Sequence, residues 1–212
     1  CRRAWSALFR RGGQMISNSE RIPDWIVKNA RVLDLGCGEG KLLAELSITH
    51  NIVGLGLELD PEKIALCLDK GLNVIQQDLN KGLSNFLDGQ FDTVIMAQTL
   101  QAIRRPDLML SDMLRVGKEA IVTFPNFAYL HNRLQLGIAG HMPVNSQLPN
   151  PWYNTPNIHL STFTDFENLC QSLSISILAK DTSNLNGHRT WLGTVWPNLF
   201  GEVAVYRLAK EP

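Results

Sequence analysis

Nine residues, VLDLGCGEG at positions 32–40, leave this chain few folds to choose from. Val32, Leu33 and Leu35 make the nearly unbroken apolar run of a parallel strand buried on both faces, and apolar residues resume at helical spacing with Leu42, Leu43 and Leu46. Between them lie Gly36, Gly38 and Gly40. A strand, a glycine turn and a helix form the first half-unit of a nucleotide-binding α/β domain. Glycine permits the backbone angles of a sharp turn, and it lets a ligand lie against main chain that carries no Cβ.

The spacing narrows the ligand. A dinucleotide fingerprint reads G-x-G-x-x-G, whereas here Asp34-x-Gly36-x-Gly38-x-Gly40 is one residue tighter and sets a carboxylate at the strand's end, where it would repel a pyrophosphate. This acidic form resembles motif I of the class I S-adenosylmethionine (SAM) dependent methyltransferases, whose ligand carries a cationic amino group and a sulfonium and no phosphate. A purely structural turn is the competing reading.

A second anchor stands on the next strand. NIVGLGLEL (51–59) reads as buried and ends in Glu58, 22 residues beyond Gly36, where this fold brings a ribose whose hydroxyls a carboxylate can accept. Leu59 lies beside it, and Asp60-Pro61 starts a helix with Ile64, Cys67 and Leu68 inward that stops at Gly71. A third strand, Asn73 to Gln76, leads to Asp78 and Leu79. In the methyltransferase pattern such an acid accepts from the adenine amino group and the following N–H meets the ring; helix capping is the alternative for Asp78. A fourth strand, Phe91 to Ala97, delivers Gln98, Thr99 and Gln101 to the same edge, since parallel strands finish on one side.

Beyond it, Pro106 opens a helix with Leu110, Met113 and Leu114 inward, closed by Gly117, and Glu119 to Phe124 is a fifth strand. Residues 127–163 are irregular and rich in Pro, Asn and aromatics, the composition of a lid or partner surface. Residues 128–138 within them read as a helix with Leu130, Leu134 and Ile138 as its buried stripe. Thr164 to Glu167 reads as a capping box, Ile175 to Ala179 as strand six, and Glu202 to Leu208 as a last strand with a helix-free approach, hence antiparallel. Near the start, Ser17 to Lys28 reads as a short helix with Ile22, Trp25 and Ile26 on the sheet side.

The 20 basic and 20 acidic residues are interspersed, so nothing points to nucleic acid or to an anionic membrane, and no apolar run is long enough to span one. Four cysteines without a C-x-x-C pair read as reduced thiols of a cytoplasmic protein. The arginine-rich residues 1–14 read as a non-native or disordered extension, with the natural start at Met15 and a single domain over 15–212. His131, His141 and His159 are scattered without zinc spacing, no metal site is expected, and no catalytic residue is identifiable. Cys37, inside the glycine turn, reads as a small packing residue rather than a nucleophile.

Several stretches carry a closer likeness: GLELDPEKI (56–64), NVIQQDL (73–79), AQTLQAIRRPD (97–107), VTFPNF (122–127), LQLGIAGHMPV (134–144), WYNTPNIHL (152–160) and WPNLFGE (196–202). Together with the glycine turn they resemble the methionine biosynthesis protein MetW family over residues 20–209. The resemblance implies a Rossmann-like class I methyltransferase fold, α/β, with a seven-stranded mostly parallel sheet, its last strand antiparallel and helices on both faces. It implies SAM or S-adenosylhomocysteine held by Asp34, Gly36, Cys37, Gly38, Gly40, Glu58, Leu59, Asp78, Leu79 and Gln98. It also implies a role beside a homoserine O-acyltransferase (MetX). Two functions follow as expectations: a SAM-binding protein that supports the acyltransferase, or a methyltransferase acting on a small molecule with 127–163 as its lid.

Overall fold

The protein is described by a computed structural model over residues 22–183 and 191–211. The expected extension 1–14 and the start at Met15 lie outside the described residues. Of the helix read over Ser17 to Lys28, the described part is a single 3-10 turn at Pro23–Trp25, flanked by Ile22 and Ile26, both buried as their spacing implied.

Seven strands form one sheet in the order β3-β2-β1-β4-β5-β7-β6. They are β1 (Arg31–Leu35), β2 (Val53–Glu58), β3 (Val74–Gln76), β4 (Phe91–Ala97), β5 (Gly117–Pro125), β6 (Ile175–Ser183) and β7 (Val203–Lys210). The strands β1 to β5 pair parallel, and β7 lies antiparallel between β5 and β6. Alternation along β1 explains why its apolar run is unbroken: Leu33 and Leu35 enter one core, and Val32 enters the core on the opposite face.

Helices α1 (Lys41–His50), α2 (Pro61–Asp69) and α3 (Pro106–Val116) follow β1, β2 and β4. The start of α2 is as read, with the Asp60 side chain accepting from Glu62 N–H at 3.0 Å and Pro61 in the first turn. Its buried stripe is thinner than read, because only Cys67 is buried and Leu68 is 58% exposed.

Three elements differ from their reading. Helix α4 (Leu130–Gly137) forms within the irregular segment, but its buried residue is Asn132, while Leu134 and Ile138 face outward. The inward face is polar because the Asn132 amide donates to the carbonyls of Asn126 and Phe127. Helix α5 (Phe163–Ser172) is capped two residues earlier than read, by Thr162, whose hydroxyl accepts from Asp165 N–H at 3.2 Å. Both threonines have an acid three residues on, and the earlier one wins by turning Phe163 and Phe166 into the core. Two short helices, α6 (Trp191–Val195) and α7 (Pro197–Phe200), precede β7, so its approach is not helix-free. Neither is long enough to carry the chain across the sheet, and β7 stays antiparallel.

Where β5, β7 and α5 meet, Phe124 and Tyr206 stack with centroids 6.0 Å apart and Phe166 sits 4.6 Å from Tyr206. The buried phenol donates to Glu167 at 2.8 Å.

Candidate functional site

Strand order reverses at β1: the chain runs outward to β2 and β3, then returns to place β4 on the other side. A crevice opens at such a reversal, beyond the carboxyl ends of the strands. The glycine turn after β1, Glu58 at the end of β2 and Gln98 after β4 all reach that edge.

The turn is stitched to β2 by N–H donation from Gly36 and Cys37 to the carbonyl of Leu57, at 2.8 and 3.0 Å. The three glycines serve different ends. A Cβ on Gly36 would come 2.6 Å from the Thr99 hydroxyl, and one on Gly40 would come 2.4 Å from Leu72. These two face protein. Gly38 has φ +57° and nothing within 4 Å of where its Cβ would be, so its main chain alone is open to approach. Its carbonyl is held from below by the Cys67 thiol, which donates at 3.2 Å. Cys67 was legible only as a helix-stripe residue; its hold on the turn has no local signature.

Cys37 has the packing role read for it. Its sulfur would lie 2.5 Å from a Cβ on Gly56, which is why β2 carries glycine there. Burial, and then the negative charge of Asp34, push its thiol far above the ordinary range and keep it protonated.

Two carboxylates close enough to feel each other's charge belong to this edge. Glu58 accepts from Gly38 N–H at 2.8 Å through one oxygen and from the N–H groups of Leu59 and Asp60 at 2.8 and 3.0 Å through the other. Asp34 is 2% exposed, and no hydrogen bond to its carboxylate is formed among the described residues. Burial, and secondarily the Glu58 charge, raise its carboxyl from 3.8 to about 7. An anion-hungry ligand group, a cation or a hydroxyl donor, is what this pair is fitted to receive.

The remaining expected residues divide. Leu59 is 58% exposed at the rim and accepts from the Gln76 side chain through its carbonyl. Asp78 caps the 3-10 turn Leu79–Lys81, accepting from Asn80 N–H at 2.9 Å, so its capping role is realised. The Leu79 side chain is in the core, which leaves its backbone for the rim. Gln98 adopts φ +53° and turns toward β5, donating from its N–H to Thr123 Oγ1 at 3.0 Å. Next to it, the Gln101 amide donates to the Gln98 carbonyl, and its own main-chain oxygen accepts from the N–H groups of Ile158 and His159. The stretches AQTLQAIRRPD and WYNTPNIHL, distant in the chain, therefore meet at this edge. Among the described residues, no group of three or more His, Cys, Asp or Glu could hold a metal ion, and no helix is long and apolar enough to cross a membrane.

Residues 17–208 match the family described as methionine biosynthesis protein MetW. The chain belongs to this family. A curated relative, the bifunctional methionine biosynthesis protein MetXA/MetW of Rhodopirellula baltica, is 38% identical over 169 residues. That match covers 76% of this chain and 27% of the relative, so the chain spans about a quarter of that protein's length. Among solved structures, a chain from the complex between the Haloferax volcanii Trm112 methyltransferase activator and a methyltransferase superposes with TM-score 0.67 and 15% identity, covering 99% of this chain and 97% of that one. The Synechocystis magnesium protoporphyrin IX methyltransferase with bound S-adenosylhomocysteine gives 0.64 and 16%, covering 92% and 80%. At these identities the likeness is one of fold: this chain shares the Rossmann-like architecture of those methyltransferases.

Proposed function

We propose that this protein, as one domain over 15–212, binds SAM at the switch-point crevice and supports a homoserine O-acyltransferase by associating with it. The observation that carries the reading is the pair of carboxylates, buried Asp34 at the end of β1 and Glu58 at the end of β2, the latter bonded to Gly38, the one open glycine of the turn. SAM brings a cationic end and a ribose diol, the two kinds of group those acids accept. Asp34, buried and without a hydrogen-bond partner among the described residues, would face the cation. Glu58 has three of about four acceptor positions occupied by backbone N–H groups, which hold its carboxylate at the rim for the ribose. Gly38 offers bare main chain, and the exposed Leu59 an apolar edge for the adenine.

SAM would supply a methyl group on sulfonium; the residues named here bind and orient it. The acyltransferase partner is suggested by the MetXA/MetW relative, in whose name both activities stand in one chain. A cytoplasmic setting belongs to the same reading, as Cys37, Cys67 and Cys170 are free thiols.

The test is titration calorimetry with SAM and with S-adenosylhomocysteine, run alone and after adding the acyltransferase, alongside acyltransferase rates across a SAM series. Binding that is lost in Glu58→Ala, together with a rate that rises when the protein is present, is the expected result. An acyltransferase rate unchanged in all conditions refutes the supporting role. A small-molecule methyltransferase is the second reading, favoured by a depression of about 100 Å³ beside the crevice lined by Leu100, Gln101, Pro106, His159 and Asp165. Labelled SAM with cell extract separates the two, since only this reading transfers label to a metabolite.

A further inference from the structure

The segment between β5 and α5 is built as a fixed platform. Asn126 is fully buried and donates to the carbonyls of Asn198 and Gly201 at 3.1 and 2.7 Å while accepting from Ala128 N–H at 3.0 Å. Asn132, also buried, donates to the Asn126 carbonyl and accepts from the Asn145 amide at 2.7 Å. Asn145 in turn accepts from the N–H groups of Gln147 and Leu148. At the far end, Ile158 and His159 are tied to the Gln101 carbonyl. Satisfied buried amides of this kind hold one backbone arrangement.

What the platform presents outward is apolar. Of the 23 exposed large hydrophobic side chains among the described residues, nine lie between Leu134 and Leu160, far more than this length of chain would hold by even spread. Trp152 and Tyr153 are 73% and 74% exposed and lock edge to face with centroids 5.7 Å apart. Aromatic side chains held rigidly in the open are the residues that anchor protein contacts.

The segment itself carries charge of one sign. Residues 120–164 contain no aspartate or glutamate. Of the six arginines among the described residues, four hold carboxylates: Arg31, Arg105, Arg115 and Arg207. The two without an ion pair among the described residues, Arg104 and Arg133, both belong to this surface. Arg133 stands on α4 with its Nε fixed to the Ala128 carbonyl, and the Arg104 carbonyl lies 3.4 Å from the His159 ring. The other four described guanidinium groups are each answered by a carboxylate of the protein itself.

We propose that residues 127–163, with Arg104, form the surface that docks on the homoserine O-acyltransferase, on an acyltransferase patch with an apolar centre and a rim of carboxylates. Trp152 and Tyr153 fill the centre, and Arg104 and Arg133 meet the acids. This rests on the association proposed above and adds its location and chemistry.

The test measures affinity by calorimetry between the full chain and the assembled acyltransferase, at low and moderate salt. It uses wild type, Trp152→Ala/Tyr153→Ala and Arg104→Glu/Arg133→Glu, each checked for an unchanged melting profile. The aromatic pair should weaken binding at least about 30-fold, as truncation of central anchors does. The charge reversal should weaken it about 10-fold or more at low salt and remove the salt dependence seen in wild type. If wild type binds and both variants bind equally well, the surface is misplaced while the association stands. If wild type does not bind at all, both fall. If the aromatic variant instead abolishes self-association while acyltransferase binding is unaffected, the surface belongs to a second copy of this chain and the proposal is overturned.

Discussion

Replacing Asp34 by asparagine should make the protein more stable and a poorer binder of a cationic ligand. The carboxyl is 2% exposed, and its proton affinity in the folded chain is raised from 3.8 to about 7 by burial and by Glu58. Between those values the native state binds a proton that the unfolded chain has released. The group's contribution to stability is therefore fully present below 3.8 and is lost as pH rises through about 7. At pH 8 the full cost of an ionised Asp34 is on the order of 4 kcal/mol. Asparagine carries no charge to bury, so the variant should gain about that amount at pH 8 and less than half of it at pH 5. For a chain of this size, about 2–4 °C per kcal/mol makes the alkaline gain roughly 10 °C in melting temperature. Urea or thermal unfolding of both proteins from pH 5 to pH 8 checks it. The wild-type affinity for SAM should rise with pH up to about 7, because the cation binds the ionised carboxylate and displaces its proton, whereas the variant should bind at least ten times more weakly with no such slope. Stability differences that stay constant across the pH series would refute the reasoning, since they would mean that Asp34 titrates as it does in the unfolded chain.

The glycines give a second contrast: Gly36→Ala and Gly40→Ala should cost several kcal/mol in chemical denaturation because each Cβ meets a neighbour under 3.0 Å away, whereas Gly38→Ala should cost about 1 kcal/mol, the strain of φ +57° alone, yet impair SAM binding measurably in calorimetry. Asn126→Ala leaves the carbonyls of Asn198 and Gly201 and the N–H of Ala128 without their partner and should cost about 3 kcal/mol or more, read by urea unfolding. The same variant should open residues 127–160 to limited proteolysis under conditions where wild type resists, and equal digestion would show that the platform does not depend on Asn126.

The parts of the fold that were legible in the sequence are those whose signal is local. The run Val32 to Leu35 announced a strand buried on both faces, Asp60-Pro61 a helix start, and Asp34 with the three glycines a strand-to-helix turn, because each needs only its neighbours to make physical sense. What escaped reading depends on distant partners. Leu134 and Ile138 have the spacing of a buried stripe, but the buried side of α4 was decided by Asn132 and the carbonyls of Asn126 and Phe127. Thr162 and Thr164 are equal as caps until the aromatic core around Tyr206 favours one helix start over the other. Within the site, three glycines looked alike; Thr99 from the loop after β4, Cys67 from α2 and Leu72 from the loop after it separate the one that is open from the two that are packed.

The position of β7 sets an order on synthesis. In this sheet β6 touches no strand but β7, and β7 follows the other six strands in sequence. As the polypeptide leaves the ribosome, β1 to β5 can pair and enclose the crevice with what has already emerged. The stretch that makes β6 must wait beside them, its edge unanswered, until residues 203–210 slide in and join the two halves. A chain halted before that point would carry the paired strands β1 to β5 and a loose flank at β6, so the presence of the paired half alone would be a poor witness that the seven-stranded sheet had closed.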